Sequence, residues 1–127
     1  MDINRPDVVE DVTKAFLAYQ EAVDANDFAT MNTLFWNSPS TVRFGPVGTL
    51  IGHAAISSYR KERKGRTTIK RILQNTVITT FGSDFAATNT ETVRPGESGI
   101  SRQSQCWIRT PDGWRIASAH VSDQPGA

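Results

Sequence analysis

A few polar side chains stand at positions where the surrounding pattern predicts burial, and they could do chemistry there. Tyr19 lies on the apolar face of a predicted helix, three residues after Phe16. A phenol can donate a proton at neutral pH but rarely accepts one. Two interpretations remain open: a hydroxyl that donates into a cavity, or a core tyrosine whose hydroxyl meets a backbone carbonyl.

Arg43 is a second candidate because it alternates with hydrophobic residues in a short predicted strand, between Val42 and Phe44. If these two neighbours pack inward, Arg43 faces solvent. If they pack outward at a dimer surface, Arg43 enters the interior, where an unpaired guanidinium is costly and requires an anion. That anion would be a protein carboxylate or a bound substrate.

Three more residues are candidates for binding a substrate. Glu91 is a poor β-former inside a predicted strand, so it is either a surface glutamate or a cavity carboxylate. In the cavity it would pair with Arg43 or accept from a substrate N–H. Gln105 shares a strand face with Trp107 and would line the same cavity. Trp36, which ends a predicted helix, is expected as a cavity wall or a core plug.

His120 would suit a general base, since imidazole exchanges protons near neutral pH. Alternation along the last strand, however, places it on one face with Trp114 and Ile116. Ala117 and Ala119 lie on the other face, which we expect to line the cavity. We therefore expect a structural role for His120, at a dimer contact.

The composition excludes several classes of protein. A chain of 127 residues with net charge +1 and 38% hydrophobic residues predicts one soluble domain over residues 1–127, without an electrostatic preference for nucleic acid. The single cysteine, Cys106, excludes an internal disulfide, and no metal-ligand spacing occurs. The charge run at 59–66 is interpreted as a solvated helix end. No apolar run is long enough for a membrane helix and no secretion signal is seen, so a cytoplasmic location is expected.

The elements that must position these residues follow from periodicity and turn signals. Apolar residues recur at three- and four-residue spacing from Asp7 to Ala25, which predicts an amphipathic helix. Pro111-Asp112-Gly113 between two β-patterned runs predicts a hairpin. The order predicts an α+β fold in which three N-terminal helices pack on one face of a strongly curved, mostly antiparallel sheet, around a hollow centre. The predicted helices are 7–25, 28–35 and 53–64; the predicted strands are 40–44, 49–51, 67–80, 85–94, 99–110 and 114–122.

This order, with the motif DGWRIASAHVS at 112–122, resembles the nuclear transport factor 2-like superfamily, which includes ketosteroid isomerase and the SnoaL-like cyclases. The closing strands are also similar to the hub domain of calcium/calmodulin-dependent kinase II, where the position of Gln105 carries a pocket arginine. A closer resemblance is to the AtzH-like (HpxZ-like) proteins, which are linked to cyanuric-acid and oxalurate breakdown. The motifs that carry it are DVTKAF at 11–16, LFWNSP at 34–39, TVRFG at 41–45, VITTFG at 77–82 and RQSQCW at 102–107.

The resemblance implies that Tyr19 and Arg43 belong to an active site for a small, planar, anionic compound, a carboxylated urea or amide-acid. The implied reaction is loss of a carboxyl group from nitrogen, or a related hydrolysis, and it requires no cofactor or metal. We expect a homodimer through an outer sheet face formed by Trp114, Ile116 and the alternate residues 102, 104 and 106.

Two other functions remain open at this point. One is a non-catalytic dimeric subunit or ligand-binding partner of an amidase, which a closed, apolar or collapsed cavity would favour. The other is an isomerase or cyclase, which needs a roomy apolar pocket and would use Glu91 as its base.

Overall fold

The computed structural model of the chain describes residues 1–62 and 68–126, except for the side chain of Glu62. Along these ranges most elements begin and end close to their predicted positions, but the strand predicted from Thr67 begins only at Ile72, because residues 68–71 do not pair in the sheet. The predicted end of the third helix at Lys64 and the predicted strand start at Thr67 lie outside the described residues. The helices are α1 (Pro6–Asp24), α2 (Phe28–Leu34) and α3 (His53–Glu62); the strands are β1 (Val42–Gly45), β2 (Gly48–Ile51), β3 (Ile72–Phe81), β4 (Phe85–Val93), β5 (Ile100–Thr110) and β6 (Gly113–Gln124).

The strands form one sheet in the order β2-β1-β6-β5-β4-β3. Strand β1 pairs in parallel with β6, whereas the other neighbours are antiparallel. The predicted α+β fold with helices on a mostly antiparallel sheet is therefore confirmed, and the sheet is mixed because of the single parallel pair.

Helix α1 supplies the layer that covers the sheet. Pro6 stands at its first turn, where a missing backbone N–H costs nothing. Its buried stripe at helical spacing includes Val12, Phe16 and Tyr19, which join a core cluster with Trp107 of β5. This face of the sheet is called the inner face below. No helix in the described ranges is long and apolar enough to cross a membrane.

The predicted hairpin joins β5 to β6, with Thr110 paired to Gly113. Gly113 has φ of +115°, a conformation that L side chains rarely adopt. The local turn chemistry thus sets the register of the two longest strands, which carry most of the inner face.

A β-bulge in β6 changes which residues reach the inner face. Cys106 pairs with Ser118 but Trp107 pairs with Ile116, so Ala117 is the extra residue. Trp114 and Ile116, only 6% and 0% exposed, consequently lie in the core together with Ala119. Their predicted place at an outer dimer face is wrong, and so is the alternation that put Ala117 beside Ala119. The reason is that one inserted residue moves every earlier position of β6 to the opposite face of the sheet from that expected by simple alternation.

His120 lies where the prediction placed it relative to Ala119, on the other face. It is exposed, and its ring packs edge-on against Phe44 with centroids 5.9 Å apart. His120 therefore has no access to the interior.

Candidate functional site

A row of directly paired residues crosses the inner face of four strands. Arg43 pairs with Ala119, Ala119 with Gln105, and Gln105 with Thr88. Paired residues on neighbouring strands project to the same face, so these side chains stand next to each other. The methyl group of Ala119 separates two long polar side chains and leaves the space above it open.

That space belongs to a cavity of about 620 Å³, a size that suits a small ligand. Of the residues proposed from the sequence, it is lined by Tyr19, Arg43 and Gln105. Glu91 and Trp36 are not among its lining residues. The cavity is partly open and carries several charged and amide side chains, so it is neither collapsed nor wholly apolar. Further polar lining residues include Tyr59, Arg60, Arg71, Gln103 and Asp123.

Arg43 reaches the cavity by the second of its two predicted arrangements. Phe44 is 43% exposed on the outer side, and Arg43 projects to the inner face. Its Nη1 is buried without a hydrogen-bond partner in the described part of the chain. The guanidinium carbon lies 5.5 Å from the centroid of the Tyr59 ring, a favourable cation–π position. A buried donor without a partner is costly, and a ligand acceptor would remove that cost.

Tyr19 is 6% exposed and packs edge-on against Phe35, with ring centroids 5.7 Å apart. Its hydroxyl oxygen accepts from Arg60 Nη2 at 3.4 Å. A guanidinium can only donate, so the phenolic hydrogen remains available to an acceptor. Within residues 1–62 and 68–126 the hydroxyl makes no hydrogen bond to a backbone carbonyl, which was the alternative interpretation.

Arg60 is a site residue that the sequence reasoning missed, because it stands in a charge run interpreted as solvated. It is 4% exposed, and its Nη1 donates to Asn32 Oδ1 at 2.7 Å. Its guanidinium carbon lies 4.7 Å from the ring centroid of Phe35. Burial lowers the pKa of Arg60 from its ordinary value, while the nearby Tyr19 opposes that shift. Its position four residues after the buried Ile56 was the available signal.

The charges around the cavity are unevenly compensated. Arg71 forms an ion pair with Asp24 at 2.6 Å, and Arg94 approaches Glu97 at 3.9 Å. Neither Arg43 nor Arg60 is paired with a carboxylate among the described residues. Two guanidinium groups therefore give this end of the cavity a positive potential. The described residues hold no group of three potential metal ligands.

Glu91 lies on the outer face, which corrects its predicted place in the cavity. It accepts from Asn75 Nδ2 at 2.8 Å, from Gln74 Nε2 at 3.1 Å and from Arg102 Nε at 2.9 Å. The bond from Asn75, followed by those from Gln74 and Arg102, holds the pKa of Glu91 below its ordinary value. Its carboxylate thus pairs with Arg102 rather than Arg43, and Glu91 cannot act as a base in the cavity.

Trp36 is also placed differently from its prediction. Its indole is half-buried outside the cavity, and its backbone N–H donates to the carbonyl of Ile116. The preceding Phe35, 1% exposed, takes the interior position against Tyr19 and Arg60. Successive side chains of this extended segment point to opposite sides, so only one of the two aromatic rings can reach the interior, and it is the smaller ring of Phe35.

This chain is similar to known proteins in both sequence and structure. The sequence profile of the AtzH-like family matches residues 1–126. No match was found among curated proteins. A protein of unknown function of the DUF3225 family from Pectobacterium atrosepticum is 45% identical, with coverage of 97% of this chain and 95% of that one and a TM-score of 0.91.

Two further solved structures support the fold. A cystatin-like fold protein from Burkholderia xenovorans is 42% identical, with coverage of 100% of this chain and 99% of that one and a TM-score of 0.90. A nuclear transport factor 2-like superfamily protein from Salmonella enterica serovar Typhimurium is 27% identical, with coverage of 95% and 92% and a TM-score of 0.67. The chain therefore belongs to the AtzH-like family, and its α+β architecture is the nuclear transport factor 2-like, cystatin-like fold.

Proposed function

We propose that this protein is a cofactor-free enzyme that removes a carboxyl group from the nitrogen of a small anionic urea or amide-acid. The observation that carries the proposal is Arg43, whose buried Nη1 has no hydrogen-bond partner among the described residues and lies at the wall of a cavity shared with Tyr19. A guanidinium in this situation gains most from a planar oxyanion, which it can bind through two parallel hydrogen bonds.

Tyr19 is assigned the chemical step. Its hydroxyl donates a proton to the carboxylated nitrogen, the C–N bond breaks with its electron pair going to nitrogen, and carbon dioxide leaves. The tyrosinate regains its proton from water. An ion pair between Arg43 and the departing carboxylate stabilises the ground state as well, so the rate gain must come from protonation of nitrogen.

Arg60 supports this step electrostatically. Its Nη2 lies 3.4 Å from the Tyr19 oxygen, where negative charge develops as the proton leaves. A fixed cation at a developing anion lowers the barrier without reorganisation at the moment of reaction. Its bond to Asn32 and its stacking on Phe35 keep the guanidinium in place.

The test is to incubate the protein with freshly generated carboxyureas and with amide-acids, and to measure release of carbon dioxide and ammonia. We expect carbon dioxide to be released from an N-carboxylated compound, with loss of this activity in Tyr19→Phe. Saturable binding of these compounds without turnover would instead identify a ligand-binding partner of another enzyme. If the protein neither binds nor turns over any of these compounds, the proposal is contradicted.

We further propose that the protein works as a homodimer through the outer face of the sheet. With Trp114 and Ile116 in the core, the outer candidates are Phe44, 43% exposed, and Val77, 57% exposed, together with the His120 ring that packs on Phe44. Exposed apolar side chains on a sheet face are typical of an interface. Sedimentation at micromolar concentration should show a dimer, and a Phe44→Asp variant should shift it towards monomer; a wild-type monomer would refute this part.

A further inference from the structure

A chain of hydrogen bonds fixes the direction of the Gln105 carboxamide. Trp107 Nε1 donates to Thr88 Oγ1 at 3.0 Å, and Thr88 Oγ1 donates to Gln105 Oε1 at 3.1 Å. An indole N–H can only donate, so the Thr88 oxygen accepts there and uses its single hydrogen for Gln105. The carboxamide oxygen is therefore occupied, and the NH2 group is the end left for the cavity.

A second chain of hydrogen bonds fixes the direction of the Gln103 carboxamide, two residues away on the same face of the strand. Arg71 Nη2 donates to Gln20 Oε1 at 2.8 Å, and Gln20 Nε2 donates to Gln103 Oε1 at 3.0 Å. This chain also starts at a group that can only donate, because a guanidinium has no acceptor. Arg71 is in turn held by its ion pair with Asp24.

Five of the six members of the two chains are buried and Gln103 is half-buried, so a reversed carboxamide would be costly, above all in the Gln105 chain. Thr88 is 1% exposed, Gln105 4% and Gln20 2%. Turning the Gln105 amide round would set its NH2 against the Thr88 hydroxyl, which could accept through its second lone pair but would lose the acceptor of its own buried hydrogen. The assignment of the oxygen and nitrogen atoms of these carboxamides thus rests on neighbouring groups that can only donate, and not on the shape of the side chain.

We propose that Gln103 and Gln105 are specificity-determining residues that present a donor-only wall, which selects ligands with carbonyl or carboxylate oxygens and rejects N–H groups at this position. The two amides are separated by about 6.8 Å, two residues along a strand. This inference rests on the proposed function insofar as the cavity is the substrate site. It adds the polarity of the substrate edge that faces β5, opposite the edge held by Arg43.

The experiment follows the side-chain amide signals of the two glutamines by 15N–1H NMR while malonate, a probe with only acceptor oxygens, is titrated into the protein. Gln103→Leu and Gln105→Leu assign the signals. We expect malonate to shift both pairs of NH2 signals. Thr88→Val should weaken malonate binding about three- to tenfold, the effect of one misdirected neutral hydrogen bond, and should suppress the Gln105 shift while the Gln103 shift persists. Thr88→Ser, which keeps the hydroxyl, should restore both.

Thr80→Val is the matched control, because Thr80 is a fully buried strand threonine whose hydroxyl has no partner in the described ranges. It should leave malonate binding unchanged. If Thr88→Val does not fold, Trp107→Phe removes the first donor of the chain and should weaken malonate binding and the Gln105 shift in the same way.

The outcomes separate this inference from the proposed function. Malonate binding that depends on Arg43 but moves neither glutamine signal, or that is equal in wild type and Thr88→Val, would overturn the donor wall alone. Glutamine shifts with malonate, but no carbon dioxide release from any N-carboxylated compound, would support the wall and overturn the enzyme. Failure of malonate to bind at millimolar concentration would overturn both.

Discussion

Replacing Arg43 by lysine separates the charge of this residue from its shape. Lysine keeps the positive charge, but it loses the planar fork that can hold a carboxylate through two hydrogen bonds. It also loses the flat guanidinium near the Tyr59 ring. If Arg43 anchors the substrate, the variant should retain its fold and lose most of its activity.

The magnitude follows from what the guanidinium does and does not contact. Its Nη1 has no partner in the described part of the chain, so the substitution breaks no internal hydrogen bond of that atom. We therefore expect the free energy of unfolding to change by less than about 1 kcal/mol, mainly through the lost contact with the ring. Loss of a charge-assisted contact to a ligand costs about 1.5–3 kcal/mol, which is a factor of about 10 to 150 in kcat/KM.

The assay is kcat/KM for carbon dioxide release, measured beside thermal denaturation of the same preparations. Arg102→Lys is the matched control: Arg102 is an arginine of the outer face that pairs with Glu91, away from the cavity. Its activity should equal that of wild type. Near wild-type activity of Arg43→Lys would refute the anchor, and a loss of activity that follows a comparable loss of thermal stability would show that Arg43 is a structural residue.

Three further substitutions test the cavity, the buried core and the outer face of the sheet. Ala119→Leu places a larger side chain between Arg43 and Gln105, so activity should fall at least about tenfold. The melting temperature should change little, because the added atoms extend into a cavity. Full activity would mean that the substrate binds elsewhere. Thr80→Val replaces a buried hydroxyl that has no partner in the described ranges, and chemical denaturation should show a gain of about 1 kcal/mol; a loss would reveal a partner. Hydrogen bonds from neighbouring side chains hold the pKa of Glu91 low, so its ionised form stabilises the fold above the ordinary carboxyl range, and this contribution is lost as pH falls through the lowered value. The melting temperature of Glu91→Gln should therefore fall less steeply than that of wild type between about pH 6 and pH 3. An equal pH dependence of the two melting temperatures would contradict the assigned hydrogen bonds.

Much of the fold could be predicted because its signals are local. The spacing of apolar residues in α1 and the Pro-Asp-Gly turn before β6 depend on neighbouring residues alone. Arg43 lies within one of the matched motifs, whereas Tyr19 lies outside them and was a candidate from its place on the apolar face of α1 and from the family resemblance. The cavity between them was expected from small residues in the strands, and Ala119 does lie beneath it.

The errors arose where a position depends on strand pairing or on distant packing. The bulge at Ala117 is a property of the β5–β6 pairing, and alternation counted along β6 alone could not reveal it. Glu91 was a candidate for the cavity because of its low β-propensity, the other interpretation being a surface glutamate. Hydrogen bonds that include one from Asn75, in a bulge of β3 with φ of +50°, hold it on the outer face. Arg60 was hidden by the charges that follow it, although the aromatic ring of Phe35 and the amide of Asn32 provide a buried place for its guanidinium.

The central claim is that Tyr19 protonates a substrate held by its carboxylate, and Tyr19→Phe tests it most directly. The measurement is steady-state release of labelled carbon dioxide from an N-[13C]carboxylated urea, with kcat and KM determined separately for wild type and variant. Phenylalanine keeps the ring that packs on Phe35 and removes only the hydroxyl. We predict an unchanged KM and a kcat lowered about 100-fold or more, the usual contribution of a positioned general acid. An unchanged kcat, or a raised KM with kcat preserved, would contradict the claim.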